Sequence, residues 1–294
     1  MVPEGPIVRR AQPWLGTCVE IRAEAARLPR WEVMAAIDAA FAEIAAVHHL
    51  LSRQDRGTDY LQLTQARAGD VLRVDARTAE VLRLALNLRK ESAGAFDPEC
   101  NESPAAATAH AAAQPAWSLE DGREVRVHRQ ATIDLDGIAK GYAVDRASDS
   151  LHAHGLAGTV NAGGDLRTTR HCSEPLLVRC DTIRGGLVSL GRLGTGAFAS
   201  SQSRARRELD SALAGDGIDD RRTGGRPLPL MVVAVAAPSC AVADALTKVV
   251  AVDPGAAVGL LERCDATAWI LRELSGVLRM RQLGSSSIVT VDAA

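Results

Sequence analysis

The 294-residue chain predicts an α+β fold in one compact unit. Apolar residues fall at helical spacing in some segments and into short β-rich runs in others. The two kinds of segment intermix without strict β-α-β alternation. No internal repeat and no clear linker divides the chain, so one unit is expected over 1–294, with its globular core at about 15–285.

Gly16–Glu24 alternates loosely and is rich in β-formers, which predicts the first strand. From Trp31 to Leu51, apolar residues recur at Trp31, Met34, Ile37, Phe41, Ile44 and Val47, the period of an amphipathic helix. A short strand is expected at Val71–Val74 and a helix at Thr78–Ser92, capped by Thr78. The Ala-rich run Pro104–Pro115 reads either as a short helix or as a loop. Strand-like Val125–His128 leads into Thr132–Gly137, and a helix then runs to His154 and ends at Gly155. Further strands are expected at Gly158–Asn161, Leu176–Cys180, Gly186–Leu190 and Ala197–Ser200. Arg204–Arg226 is charged and Gly-rich, a loop. The apolar run Met231–Ala237 is a buried strand, and Ser239 caps a helix that carries Asp244 and ends at Val252. A helix near Gly255–Arg263 and strands at Thr267–Leu271 and Val277–Gln282 close the chain.

Composition excludes several classes of function. A formal charge of −2 with balanced acids and bases gives no electrostatic footprint for nucleic acid or an anionic membrane. Aromatic residues make up 3%, too few for base-stacking surfaces. The six cysteines include no C-x-x-C pair, so they read as thiols in a reducing compartment. The N-terminus lacks an apolar core for a signal peptide, and no stretch is taken to approach the ~20 apolar residues of a membrane helix. The expectation is a cytoplasmic protein without membrane insertion.

Four clusters carry candidate chemistry. In Ile133-Asp134-Leu135-Asp136-Gly137-Ile138-Ala139-Lys140-Gly141, a strand ends in two carboxylates and a helix begins. Helix N-termini attract anions, and Lys140 can reach a phosphate there. A capped helix, with Asp136 as cap and Lys140 paired back to it, reads the same residues without a ligand. The small residues Gly137, Ala139, Gly141 and Ala143 leave one helix face open to something large. Gly94-Ala95-Phe96-Asp97-Pro98 is a rigid turn that presents an aromatic and an acid, or else a C-cap turn that buries the Phe. Asn161-Ala162-Gly163-Gly164-Asp165 is a glycine turn after a strand. Ala243-Asp244-Ala245-Leu246-Thr247-Lys248 puts an acid and a hydroxyl on one turn of helix. His48-His49 reads as packing or surface rather than a ligand pair, and Arg204, Arg206 and Arg207 as a solvated loop.

In this order and at these intervals, the clusters resemble the ApbE family, the FAD:protein FMN transferases. Leu15-Gly16-Thr17 is similar to that family's Met-Gly-Thr, and Ala95-Phe96-Asp97 to its small-residue turn with Phe-Asp. Asp134-Leu135, Gly137, Lys140-Gly141 and Asp145 are similar to its central signature, Gly163-Gly164-Asp165 to its Gly-Gly-Asp turn, and Ala243-Asp244 to its Ala-Asp helix. The resemblance implies a T-fold-related arrangement of mixed, largely antiparallel sheets with packed helices. It also implies an FAD site. Ala95, Phe96 and Asp97 would line the adenine and ribose side and Asp134 and Lys140 would contact FAD, with Leu15, Gly163, Gly164, Asp165 and Ile218 also at the site. Mg²⁺ would be held by the Gly137 carbonyl, Asp244 and residues one turn on, of which Thr247 is the nearest hydroxyl. The implied reaction moves FMN from FAD to a Thr or Ser hydroxyl of an acceptor protein and releases AMP.

Two departures bear on that reaction. Lys248 stands where the family pattern has a threonine, and Thr247 lies one residue early, about 100° away around the helix. Lys248 is therefore expected to supply part of the cation's charge, at a site that needs less Mg²⁺ or none. Gly217-Ile218-Asp219-Asp220-Arg221-Arg222-Thr223-Gly224 matches the pattern His-Ile-x-Asp-Pro-x-Thr-Gly, with glycine in place of histidine. Glycine cannot act as a base, so impaired transfer is expected; Asp220 and Lys248 are the catalytic candidates. Hydrolysis of FAD to FMN and AMP, or flavin binding without catalysis, are the alternatives.

Overall fold

The computed structural model describes residues 6–25, 28–100, 114–169, 174–180, 186–202, 218, 220, 222, 231–275 and 277–290. The expectations for the Pro104–Pro115 run and for most of Arg204–Arg226 lie outside them, as does Cys172; Cys18, Cys100, Cys240 and Cys264 are free thiols.

The frame is an eight-stranded, wholly antiparallel sheet. It begins with β1 (Ile7–Trp14) and β2 (Thr17–Glu24), a hairpin that turns at Leu15 (φ 55°) and Gly16 (φ 71°). Sequence reading missed β1, because Pro13 and flanking arginines mask an edge strand. Among the described helices, α1 (Arg30–Leu51) comes first and buries Val33, Ala36, Ile37, Ala40, Phe41, Ile44 and Val47. By length and composition α1 could cross a membrane, so the expectation of no such stretch is corrected. Its alanines raise the mean hydropathy between polar residues that face away from the core. A short helix, α2 (Asp59–Gln65), capped by Thr58, was not anticipated. Next come β3 (Val71–Arg73) and α3 (Ala76–Glu91). The cap of α3 is Asp75, which accepts from the Arg77 N–H, while Thr78 is fully buried. The expected cap is therefore corrected: a carboxylate three residues earlier takes the free N–H.

Beyond α3, β4 (Glu99–Cys100), β5 (Trp117–Leu119), β6 (Glu124–Val127) and β7 (Thr132–Ile133) form two small sheets, β3-β6-β5 and β4-β7. After them, α4 (Ala139–Ala153) leads to the hairpin of β8 (Gly158–Ala162) and β9 (Asp165–Thr168). A third small sheet contains β10 (Glu174–Arg179) and β11 (Leu187–Leu193). The large sheet continues through β12 (Gly196–Gln202) and β13 (Met231–Ala237). Two helices, α5 (Cys240–Val252) and α6 (Pro254–Arg263), precede β14 (Thr267–Leu274), β15 (Val277–Gly284) and β16 (Val289–Thr290), the last of which joins β10 and β11. The large sheet runs in the order β1-β2-β8-β9-β12-β13-β14-β15. Every residue of β13 is buried, as expected for a central strand covered on both faces.

Candidate functional site

A contact of α4 against α5 organises the centre of the molecule. A Cβ at Gly141 would overlap the Cys240 carbonyl oxygen, so only glycine permits this approach. The small-residue face of α4 is thus occupied, at Gly141, by the start of a second helix. Asp145, one turn on, caps that helix from outside. Its carboxylate accepts from the Cys240 and Ala241 N–H groups and from the Ser239 hydroxyl, each at 2.8 Å. Helix α4 itself starts at Ala139 after Ile138, with no side-chain cap, so Asp136 is not its cap and Lys140 does not pair back to it.

Lys140 reaches the glycine hairpin instead. Its Nζ lies 2.7 Å from Asp165 Oδ2, and the Ser200 N–H donates to Oδ1 at 3.2 Å. In that hairpin Gly163 (φ 65°) and Gly164 (φ 107°) form the two-residue turn, and a Cβ at Gly163 would lie 2.6 Å from Thr17 Oγ1. The Leu15-Gly16-Thr17 turn therefore packs beside Gly163-Gly164-Asp165, and Leu15 is half-buried between two core clusters. Burial pushes the Asp165 carboxyl up, nearby Asp244 pushes it further, and Lys140 only partly offsets them, leaving it at about 6. Burial lowers the Lys140 ammonium's proton affinity, but Asp165 and Asp244 outweigh it, and the net shift is upward.

On α5, Asp244 is 2% exposed. Its Oδ2 accepts from the Gly141 N–H at 3.4 Å, and Lys248 Nζ meets its Oδ1 at 2.5 Å. Lys248 also donates to Ser201 Oγ at 3.0 Å and to the Asp244 carbonyl at 3.3 Å. Its stem passes Gly137: a Cβ there would lie 3.2 Å from Lys248 Cε and 3.2 Å from the Phe96 ring. Thr247 is fully buried, donates to the Asp244 carbonyl at 2.6 Å and shares a hydrogen bond with Ser201 Oγ at 2.8 Å.

Phe96 arrives from the turn after α3. Ala93 and Gly94 are left-handed, and Ser92 Oγ accepts from the Phe96 N–H at 3.0 Å. Ala95, Phe96 and Asp97 are all buried, so the reading that exposes an aromatic and an acid is corrected. The reason is Arg89, whose Nε lies 3.2 Å from Asp97 Oδ1 in a pair sealed from water. Pairing of β4 with β7, and the Asp134 N–H donated to the Pro98 carbonyl at 2.7 Å, stitch this turn to the Asp134–Gly137 loop. Asp134 Oδ1 accepts from the Asp136 N–H at 3.0 Å. Arg53 lies 3.3 Å from Asp134 and 2.7 Å from Asp136, with its guanidinium 5.6 Å from the Tyr60 ring centre. Sequence reading missed Arg53: it lies in a polar segment after α1, where no periodicity or motif marks one residue over another.

A continuous set of contacts thus links Thr17, Gly163, Asp165, Lys140, Asp244, Lys248, Gly137 and Phe96. Ile218 packs against the same core. Asp220 stands apart: its carboxylate is held by Arg222, Nε to Oδ1 at 3.0 Å, and Arg222 NH1 continues to Asp253 at 3.2 Å. These bonds tie Asp220 to Arg222 and, through it, to Asp253. Gly217, Arg221, Thr223 and Gly224 lie outside the described residues. Trp14 packs edge-on against His48 and His49, with ring centres 5.6 and 5.8 Å away.

The residues proposed for Mg²⁺ do not fit a divalent cation as they stand. A magnesium site needs oxygen ligands turned toward one point. Here the Asp244 carboxylate is taken by an ammonium, and the Thr247 hydroxyl is fully buried and already bonded to Ser201. No group of three or more His, Cys, Asp or Glu residues converges on a metal position among the described residues.

Residues 15–270 match the model of the ApbE family. A curated FAD:protein FMN transferase of Chlamydia pneumoniae is 29% identical over 132 residues, covering 42% of this chain and 40% of that protein. The flavinyl transferase ApbE of Pseudomonas stutzeri superposes with a TM-score of 0.76 at 19% identity, covering 95% of this chain and 94% of that one. The ApbE protein of Thermotoga maritima superposes with a TM-score of 0.74 at 22% identity, covering 96% and 97%. At those identities the superpositions establish the fold: α+β, with largely antiparallel sheets.

Proposed function

Because the chain belongs to the ApbE family, we propose that it binds FAD across the Phe96–Gly137–Lys248 locus and transfers FMN to a Thr or Ser hydroxyl of an acceptor protein. The observation that carries this reading is the convergence of residues far apart in sequence on one locus with two ammoniums. Lys248 stands beside Phe96 and Gly137 and pairs with Asp244, while Lys140 pairs with Asp165. The half-buried Gly137 backbone and two ammoniums, each already held by a carboxylate, suit a flavin nucleotide whose diphosphate would compete for them.

In the proposed reaction, the acceptor hydroxyl oxygen forms a bond to the FMN phosphorus. The bond from that phosphorus to the bridging oxygen breaks, AMP leaves with the oxygen, and the hydroxyl proton is released. Lys248 and Lys140 would stabilise charge growing on the phosphate oxygens, Lys248 exchanging its bond to Ser201 or to the Asp244 carbonyl for one to phosphate. Arg53 would hold the Asp134–Asp136 loop in place. Asp97 would act through Arg89, fixing the Phe96 turn rather than touching ligand. With glycine at position 217 no side chain there takes the proton, so transfer is expected to be slow.

Incubating the protein with FAD and a candidate acceptor, while following AMP release and covalent flavin by mass, tests the reading. Covalent flavin on the acceptor with matching AMP supports it. AMP and free FMN without adduct would make the chain a hydrolase. Tight FAD binding with neither product would make it a flavin-binding protein.

A further inference from the structure

We propose that Lys248 is a built-in replacement for a divalent cation, so that this chain binds the diphosphate of its ligand without magnesium. The inference rests on the FAD reading for the identity of the ligand, but its observations concern the chain alone. The three N–H bonds of the Lys248 ammonium are directed to Asp244 Oδ1, the Asp244 carbonyl and Ser201 Oγ. These are oxygen acceptors of the kind a hard cation would take. The ammonium therefore stands at the carboxylate that a metal would need, and the lysine stem fills the space beside Gly137.

Charge balance supports the same conclusion. Two carboxylates, Asp165 and Asp244, face two ammoniums, Lys140 and Lys248, in neighbouring pairs. The neighbouring Asp145 is paired with Arg167 at 3.2 Å. A divalent cation at Asp244 would either displace an ammonium into this set or sit against it, and like charges at such range repel strongly in a buried site. Thr247 Oγ1 is fully buried and already shares a hydrogen bond with Ser201 Oγ at 2.8 Å, so it does not stand open to a metal beside Asp244. Lysine supplies one charge where magnesium would supply two, and it cannot dissociate.

The test uses the full chain and a Lys248→Thr variant, each titrated calorimetrically with Mg²⁺ alone and then with FAD in chelator or in Mg²⁺. Wild-type protein is expected to take up no Mg²⁺ and to bind FAD equally well in either buffer. The Lys248→Thr variant should gain Mg²⁺ binding, lose about tenfold in FAD affinity in chelator and recover it in Mg²⁺. Mg²⁺ binding by the wild type, magnesium-dependent FAD binding by the wild type, or absence of Mg²⁺ binding in both proteins would each overturn the inference. If neither protein binds FAD, the flavin reading falls, while gain of Mg²⁺ by the variant alone still upholds the lysine replacement. Should the threonine variant not fold, as judged by its melting transition, Lys248→Gln replaces it. That variant keeps most of the stem, removes the charge and should lose FAD affinity in chelator; unchanged affinity would sink the proposal.

Discussion

Asp165 is 2% exposed, with a lysine on one oxygen and a backbone N–H on the other. Its carboxyl is held at about 6 in the folded protein against 3.8 for the ordinary group. Between those values the folded state keeps a proton that the unfolded chain has lost. The contribution of Asp165 to stability is therefore complete below about pH 4 and declines as pH rises to about 6, by on the order of 3 kcal/mol. An Asp165→Asn variant has no such proton. Subtracting its urea-unfolding free energy from that of wild type at each pH should give a curve that falls across this window. A flat difference would mean that Lys140 keeps Asp165 ionised throughout. The sequence marked Asp165 and Lys140 as separate motif residues, and nothing in their spacing announced that they pair.

At the scale of elements, α5 depends on α4 for its first turn. Asp145 accepts two N–H groups and a hydroxyl from the start of α5 and also holds Arg167. Asp145→Ala should cost about 1–3 kcal/mol, from the lost cap and two buried N–H groups left without an acceptor, while half-buried Arg167 keeps Asp149. Chemical denaturation would show the loss, and hydrogen exchange should speed up at Cys240 and Ala241 first. Helix α5 and β13 were legible in the sequence because their apolar runs are long, and α5 also carries a local cap. Ser239 caps α5 as its position predicts. Elements of two to four residues, such as β4, β5 and β7, carry too few residues for a period to emerge and exist because a partner strand is present. The cap of α3 was misplaced by three residues because Asp75 and Thr78 are both plausible caps, and only the burial of Thr78 separates them.

For the molecule as a whole, the large sheet is assembled from distant segments. Strand β2 pairs with β8, so Val19 faces Ala162 and Ile21 faces Val160. Loops of this length must close before such pairs gain anything, so refolding after dilution from urea should proceed in milliseconds to seconds or more slowly. A single microsecond phase in stopped or continuous flow would contradict that. By itself the sequence determined the fold class, the order of the main elements and the motif residues, since periodicity, turn glycines and local spacing are properties of neighbours along the chain. Only the tertiary structure decided that the open face of α4 receives α5, that Asp97 belongs to Arg89, and that Lys248 closes on Asp244. The first two are contacts between distant segments. The third is local in sequence, but its meaning comes from Ser201, Gly137 and Phe96, which the sheet and the loops bring to the same place.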